Sequence, residues 1–169
     1  MIRFVRKAIV TAALFAAPMF AATPAFAASD AATKTVAVAD VSAFETEVVK
    51  LTNVQRAKRG CSALRIDARL TKAARAHSAD MVRTSSFSHT GSNGSTFVAR
   101  EVAAGYPKNG ASAENIAWGQ RTPKDVVTAW MNSAGHRANI LDCSSIAVGV
   151  GLVYAKGGAT YWTQDFGRI

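Results

Sequence analysis

Three side chains able to bind a metal or transfer a proton stand in irregular stretches of the chain: His89, Glu114 and His136. Two neutral imidazoles and one carboxylate are a ligand set that holds Zn²⁺ with an open position, where a bound water reaches a pKa of about 7. Gaps of 25 and 22 residues separate the three, so nothing local in the sequence brings them together. On spacing alone, loop histidines that hydrogen-bond backbone groups remain the alternative.

Several catalytic signatures do not occur in the sequence: HExxH, GxSxG and the phosphate-binding patterns GxxxxGK and GxGxxG. Their absence weighs against the corresponding hydrolase classes and predicts no nucleotide cofactor. Ser133 lies near His136 in sequence, but nothing places a histidine beside it as a base, so no catalytic nucleophile is predicted. His77 falls on an apolar helical stripe and is interpreted as a hydrogen-bonded packing residue rather than a ligand.

The first 27 residues have the pattern of an export signal. A basic start precedes an apolar run over residues 8–20 and an A-x-A cleavage sequence at residues 25–27, as in a secretory signal peptide. An uncleaved membrane anchor is the alternative, but the run is shorter than the roughly 20 residues of a spanning helix and prolines interrupt it. We therefore expect a signal peptide at residues 1–27, a flexible leader at 28–41 and a single domain at 42–169.

The net charge bears on what the protein binds, and the cysteine content bears on the cellular compartment in which it folds. Removal of residues 1–27 takes away three basic charges and no acidic ones, so the net charge falls from +9 to +6. The basic residues are scattered and form no stripe of the kind that binds nucleic acid. Cys61 and Cys143 remain, and an even count in an exported protein favours a disulfide between them over zinc ligation. No later segment resembles a membrane span.

Helical periodicity predicts the elements that position these residues. An S-x-x-E capping box at residues 42–45 opens a first helix, whose apolar stripe runs from Phe44 to Val54. Asp67 is the predicted N-cap of a second helix that carries His77 on its apolar face. Thr122 and Pro123 open a later helix, for which Gly135 is the predicted C′ residue, so that His136 would follow a helix end.

The last part of the chain predicts strands. Residues 146–154 alternate between a bulky face and a mostly small face that includes Gly149 and Gly151, so another element is expected to pack closely on the small face. A Gly157-Gly158 turn then leads into an antiparallel partner at residues 161–166. Helices followed by a late meander indicate an α+β fold. Trp118, Trp130 and Trp162 are interpreted as core or cavity-wall residues rather than exposed platforms for sugars.

Five motifs follow one another along the chain. They are FSH at 87–89, AENIA at 113–117, WMNSAGHRANIL at 130–141, VGVG at 148–151 and YWTQDFG at 161–167. Together they resemble the CAP superfamily, the SCP-like group that holds cysteine-rich secretory proteins, antigen 5 and pathogenesis-related proteins, and they indicate a bacterial member. The resemblance runs from about residue 45 to residue 169.

The resemblance implies an α-β-α sandwich with a small antiparallel sheet and a central cavity. In the family this cavity holds two histidines and two acidic residues and binds a divalent metal in some members. Three of these positions fall on His89, Glu114 and His136, but the fourth, an acidic residue in the family, is Ser133. Ala113 also replaces a family glycine. The loss of one carboxylate removes a candidate base and puts any hydrolytic mechanism in doubt.

Three functions remain open at this stage. The first is a secreted, monomeric module that binds an extracellular ligand, either a lipid or sterol or a cell-wall component, with a cavity that takes up Zn²⁺ or another divalent metal. The second is a metal-dependent hydrolase or peptidase in which His89, His136 and Glu114 hold the metal. The third is a structural domain attached to the cell wall. We expect a binding module rather than an enzyme, because Ser133 replaces the second acidic residue of the family.

Overall fold

The structure is a computed structural model that describes residues 29–169, with side chains from Asp40 onward. The predicted signal peptide at residues 1–27 lies outside the described residues. Five α-helices, one short 3₁₀ helix and four strands follow in the described part of the chain: α1 Ser29–Arg59, β1 Arg65–Ile66, α2 Ala68–Thr84, α3 Phe97–Ala103, the 3₁₀ turn Lys108–Gly110, β2 Ala111–Trp118, α4 Pro123–Asn132, α5 Ala134–Ile140, β3 Ala147–Tyr154 and β4 Thr160–Gly167.

The four strands form one sheet in the order β1-β3-β4-β2. The long strands β2, β4 and β3 pair antiparallel, while the two-residue strand β1, which was not predicted, pairs parallel with β3. Helix α2 packs on β3 and β4, whereas α1 contacts β3 and α4 and α5 contact β2. Helices thus flank the sheet, and the predicted α-β-α sandwich is confirmed.

The small face of β3 receives helix α2, as the alternation predicted. A Cβ atom added to Gly149 would lie 2.1 Å from backbone atoms of α2, and one added to Gly151 would lie 2.3 Å from the backbone of Arg75. The bulky residues of β3 point the other way and join Trp130 and Trp162 in the main core. Trp118, predicted to be a core or cavity-wall residue, differs from those two tryptophans because it is 55% exposed and therefore does not belong to the core.

Helix α1 begins earlier than the capping box predicted. The helix is already formed at Ser29, so residues 29–41 are helical and Ser42 lies inside α1. Glu45 does not cap the helix, because its buried carboxylate accepts hydrogen bonds from Arg75 and from the backbone N–H of Leu152. Val54, predicted to lie on the apolar stripe, is 50% exposed.

The helix that leads to His136 also ends earlier than predicted. Thr122 caps α4 as expected, because its Oγ1 atom accepts a hydrogen bond from the backbone N–H of Asp125. At the other end the helix stops at Asn132, and Ser133 adopts extended dihedral angles. A separate helix, α5, begins at Ala134, so Gly135 and His136 lie in its first turn. The prediction that His136 follows a helix C-terminus was therefore wrong.

The predicted disulfide joins the end of α1 to the segment after α5. Cys61 and Cys143 are bonded to each other across 82 positions, and no free cysteine remains. The buried guanidinium of Arg56 ties the same two segments together, because it donates to the carbonyls of Ser62 and Ser145. None of the helices in the described part of the chain is long and apolar enough to cross a membrane.

Candidate functional site

Strand β2, at the edge of the sheet, presents Glu114 to the face that α2 covers. Glu114 lies opposite Asp165 of β4, and Ile116 and Trp118 follow it on the same face because side chains alternate along a strand. The Glu114 side chain is only 1% exposed. A buried carboxylate needs partners for both oxygens, and the neighbouring elements supply them.

The loop between α2 and α3 supplies the first partner. His89 Nδ1 lies 2.7 Å from Glu114 Oε1, and the His89 side chain is 55% exposed. Because an ionised carboxylate only accepts hydrogen bonds, Nδ1 is the donor in this contact, and in the neutral form of the ring Nε2 is then the acceptor. Glu114 thus fixes both the orientation and the tautomer of an imidazole that solvent can reach.

Helix α3 supplies the second partner through Arg100, which sequence reasoning missed. Its Nη2 atom donates to Glu114 Oε2 at 2.5 Å and to the backbone carbonyl of His89 at 3.0 Å. Its Nη1 atom donates to the backbone carbonyl of Ser95 at 2.8 Å. One guanidinium therefore joins the Glu114 carboxylate to two points on the loop that carries His89.

His77 lies beneath this site and behaves as a packing histidine. Its side chain is fully buried, and Nε2 lies 2.9 Å from the carbonyl of Ser88 and 3.9 Å from Glu114 Oε2. Burial lowers the pKa of His77, with the Glu114 charge acting in the opposite direction. The interpretation of His77 as a hydrogen-bonded structural residue agrees with these contacts.

His136 approaches the site from α5, on the other side of the β2 edge. Its backbone carbonyl accepts a hydrogen bond from Asn115, and Asn139 of the same helix donates to the Glu114 carbonyl. Burial lowers the pKa of His136, and the nearby His89 lowers it further. His136 is therefore mainly neutral at pH 7, and it lies in the electrostatic neighbourhood of His89.

Ser133 lies at the junction of α4 and α5, three residues before His136, and is half-buried. Within the described residues its side chain makes no hydrogen bond to His89, Glu114 or His136. The structure thus brings His89 and Glu114 into direct contact and His136 near them. The place of Ser133 in the cavity stays a prediction.

Two further buried carboxyl groups lie behind Glu114, and sequence reasoning missed both. Glu101 and Asp165 are 0% exposed. No described residue donates a hydrogen bond to the carboxyl oxygens of Glu101, whereas the Asp165 carboxyl lies within hydrogen-bonding reach of Glu114. Burial raises the pKa of Glu101 to about 8, with the Glu114 charge adding to the shift. Burial and the charges of Glu114 and Glu101 raise the pKa of Asp165 well above its ordinary value. For Asp165 the available signal was an acidic residue inside strand β4, all of whose residues are buried.

The described residues do not fit the predicted three-ligand metal site. Within residues 40–169, no group of three or more His, Cys, Asp or Glu side chains is arranged to hold a metal ion. Glu114 uses one oxygen for His89 and the other for Arg100, so its carboxylate supports an imidazole instead of offering a free ligand atom.

The fold and the site together define a class: an α-β-α sandwich with a histidine held against a buried glutamate at the sheet edge. A sequence profile of the cysteine-rich secretory protein family, CAP, matches residues 49–166. The chain belongs to this family, as its five motifs predicted.

Known proteins extend the comparison. The uncharacterized protein YkwD of Bacillus subtilis (strain 168) is 46% identical over 136 residues, which are 79% of this chain and 51% of YkwD. The crystal structure of an extracellular protein containing a SCP domain from Bacillus anthracis has a TM-score of 0.69 at 30% identity, over 76% of this chain and 41% of that one. An outer surface protein from Borrelia burgdorferi shares the fold, with a TM-score of 0.63 at 23% identity over 76% of this chain and 92% of that one. The chain thus spans about half of YkwD.

Proposed function

We propose that this CAP domain is an extracellular binding module for a cell-wall component. The observation that carries the proposal is the contact between the exposed imidazole of His89 and the buried carboxylate of Glu114. A buried carboxylate that orients an exposed ring presets one hydrogen-bonding group toward the solvent, as binding sites require. The similar Bacillus anthracis and Borrelia burgdorferi proteins are described as extracellular and as an outer surface protein, which supports an extracellular location.

The face of β2 that bears Glu114 suggests the chemistry of the ligand. Trp118 lies four residues further along this face, at a distance of roughly 13 Å along the strand. Its ring is 55% exposed and packs at a tilt on Tyr161, with 6.4 Å between the ring centroids. A hydroxyl-rich chain with flat apolar faces would stack on Trp118 and donate a hydrogen bond to His89. Glycan strands of a cell wall have this chemistry.

Net charge supports attachment to a wall surface. Without its predicted signal peptide the chain carries +6, which favours association with anionic wall polymers. This contribution weakens as salt concentration rises, whereas stacking on Trp118 and hydrogen bonding to His89 do not depend strongly on salt. The two contributions can therefore be measured separately.

A lipid ligand is the second candidate, and one observation favours it. A groove of about 900 Å³ lies between α1 and the start of α4, and Phe44, Leu51 and Pro123 contribute apolar lining. This groove is separate from His89, so lipid binding there would leave the His89–Glu114 pair without a role. The metal-dependent hydrolase has weaker support, because both Glu114 oxygens are engaged and the second acidic residue is Ser133.

The test is binding of the secreted chain to purified cell-wall glycan, measured by co-sedimentation at low and high salt. We expect His89→Ala and Trp118→Ala each to weaken the salt-resistant fraction by about tenfold, the factor that corresponds to roughly 1.4 kcal/mol. Tyr154→Ala is the matched control, because Tyr154 is 45% exposed and lies on the opposite face of the sheet. Equal binding by the unchanged chain and all three variants would refute the assignment of His89 and Trp118 to the glycan-binding site. Saturable binding of a fatty acid that Leu51→Ala alone weakens would favour the lipid groove.

A further inference from the structure

The ionisable groups beneath His89 are concentrated in one buried cluster. Glu101, Glu114 and Asp165 are each at most 5% exposed, and they come from α3, β2 and β4. The Arg100 guanidinium reaches this cluster from α3 with a side chain only 10% exposed. An uncompensated buried charge is costly, so the partner that neutralises Glu114 strongly influences where its carboxylate lies.

Arg100 does more than neutralise a charge. Its Nη2 atom bonds the side chain of Glu114 and the backbone of His89, while Nη1 bonds the backbone of Ser95. The loop between α2 and α3 is thereby linked to Glu114 of β2 at His89 itself and at Ser95, which follows it in the loop. Only a planar guanidinium with several donors can make these three bonds together, and a lysine ammonium lacks that fork geometry.

We propose that Arg100 is the positioning residue of the candidate site and sets the orientation and tautomer of His89 through Glu114 and the loop backbone. The effect of Arg100 on ligand binding rests on the proposed function, whereas its effect on His89 does not. Arg100 does not need to touch the ligand, since its bonds go to Glu114 and to backbone carbonyls. It acts on the ring through the 2.7 Å contact between His89 Nδ1 and Glu114 Oε1.

A purely structural role for Arg100 predicts a different result from a positioning role. If Arg100 only stabilised the fold, a variant that still folds would keep the orientation and the tautomer of the His89 ring unchanged. If Arg100 positions the pair, its loss loosens the contact between Nδ1 and Glu114. His89 would then also populate the Nε2–H tautomer that free histidine favours.

The experiment measures the tautomer of His89 by ¹⁵N NMR of the imidazole, with His89→Ala used to assign its signals. In the unchanged chain we expect the Nδ1–H form to predominate. Arg100→Gln should shift the population toward Nε2–H, and Arg100→Lys should produce an intermediate shift because it keeps a charge without the fork. The matched control is Arg83→Gln, because Arg83 holds the same loop through Ser92 but bonds neither member of the His89–Glu114 pair.

Folding of each variant is checked by the backbone amide spectrum. If Arg100→Gln does not fold, Arg100→Lys decides the question, and the same tautomer as in the unchanged chain would overturn the inference. A shift in Arg83→Gln as large as that in Arg100→Gln would also overturn it, since the effect would then belong to the loop in general. Failure of the unchanged chain to bind glycan would refute the proposed function alone, because the tautomer is measured without ligand. Where glycan binds, Arg100→Gln should weaken it about as much as His89→Ala does.

Discussion

Replacement of the buried carboxyl of Glu101 should change how stability depends on pH. Burial raises the pKa of this group in the folded chain from 4.5 to about 8. Between these two values the unfolded chain has released the proton while the folded chain still holds it, so the folded state loses stability as pH rises. With about 1.4 kcal/mol for each pKa unit, the loss is on the order of 4 kcal/mol between pH 4.5 and pH 8.

Glu101→Gln removes this titration but keeps the shape of the side chain. We expect the difference in free energy of unfolding, variant minus unchanged chain, to rise by several kcal/mol from pH 5 to pH 8.5. The assay is urea unfolding followed by tryptophan fluorescence at pH 5, 6, 7, 8 and 8.5. His77 has a lowered pKa and therefore favours the folded state as pH rises, but it is present in both proteins and largely cancels in the difference.

A matched control comes from an exposed acid on α1. Glu47→Gln changes the same functional group in a side chain that is 46% exposed, so its difference from the unchanged chain should stay nearly flat across this pH range. Parallel stability curves for Glu101→Gln and the unchanged chain, within about 0.5 kcal/mol at every pH, would refute the reasoning. Such a result would mean that Glu101 ionises in the folded state as easily as in the unfolded one.

Two other predictions concern packing and metal binding. Gly149→Ala places a Cβ atom 2.1 Å from the α2 backbone and should destabilise the fold by about 3 kcal/mol or more, whereas Gly157→Ala, which meets nothing within 4 Å, should have a far smaller effect in the same thermal unfolding assay. In calorimetric titration with Zn²⁺ we expect no one-to-one binding that depends on Glu114, so Glu114→Gln and the unchanged chain should give the same heats. Tight binding abolished by Glu114→Gln would show that the carboxylate leaves Arg100 to become a ligand.

Local signals in the sequence were sufficient for much of the fold. Asp67 caps α2 and Thr122 caps α4, as their side chains and positions predicted, because a cap is decided by residues within one turn. The close approach of α2 to β3 followed from Gly149 and its small neighbours. The end of α4 was less predictable, because an extended residue at Ser133 starts a new helix and leaves Gly135 without a capping role.

The polar network behind the site depends on contacts that sequence spacing does not show. Arg100 donates a hydrogen bond to Glu114, which lies 14 residues away in sequence. Asp165 lies beside Glu114 only because of the register in which β2 and β4 pair. Neither pairing leaves a periodic pattern. Residue type and the motif resemblance pointed to His89, Glu114 and His136, but neither signal extends to the residues that hold them. The metal-ligand role predicted for Glu114 competes with its hydrogen bonds to His89 and Arg100.

The replacement of the second family carboxylate by Ser133 is consistent with the way the acidic groups around His89 and His136 are paired. Glu114 is committed to Arg100 and His89, and burial and the charges around Asp165 raise the pKa of this neighbouring carboxyl. No carboxylate among the described residues pairs with His136, whose lowered pKa keeps it neutral at pH 7. The site therefore presents the imidazole of His89 above the buried carboxylate of Glu114. A site of this kind is suited to a hydroxyl-bearing ligand, because an imidazole nitrogen can accept a hydrogen bond from a hydroxyl group without requiring a counter-charge on the ligand.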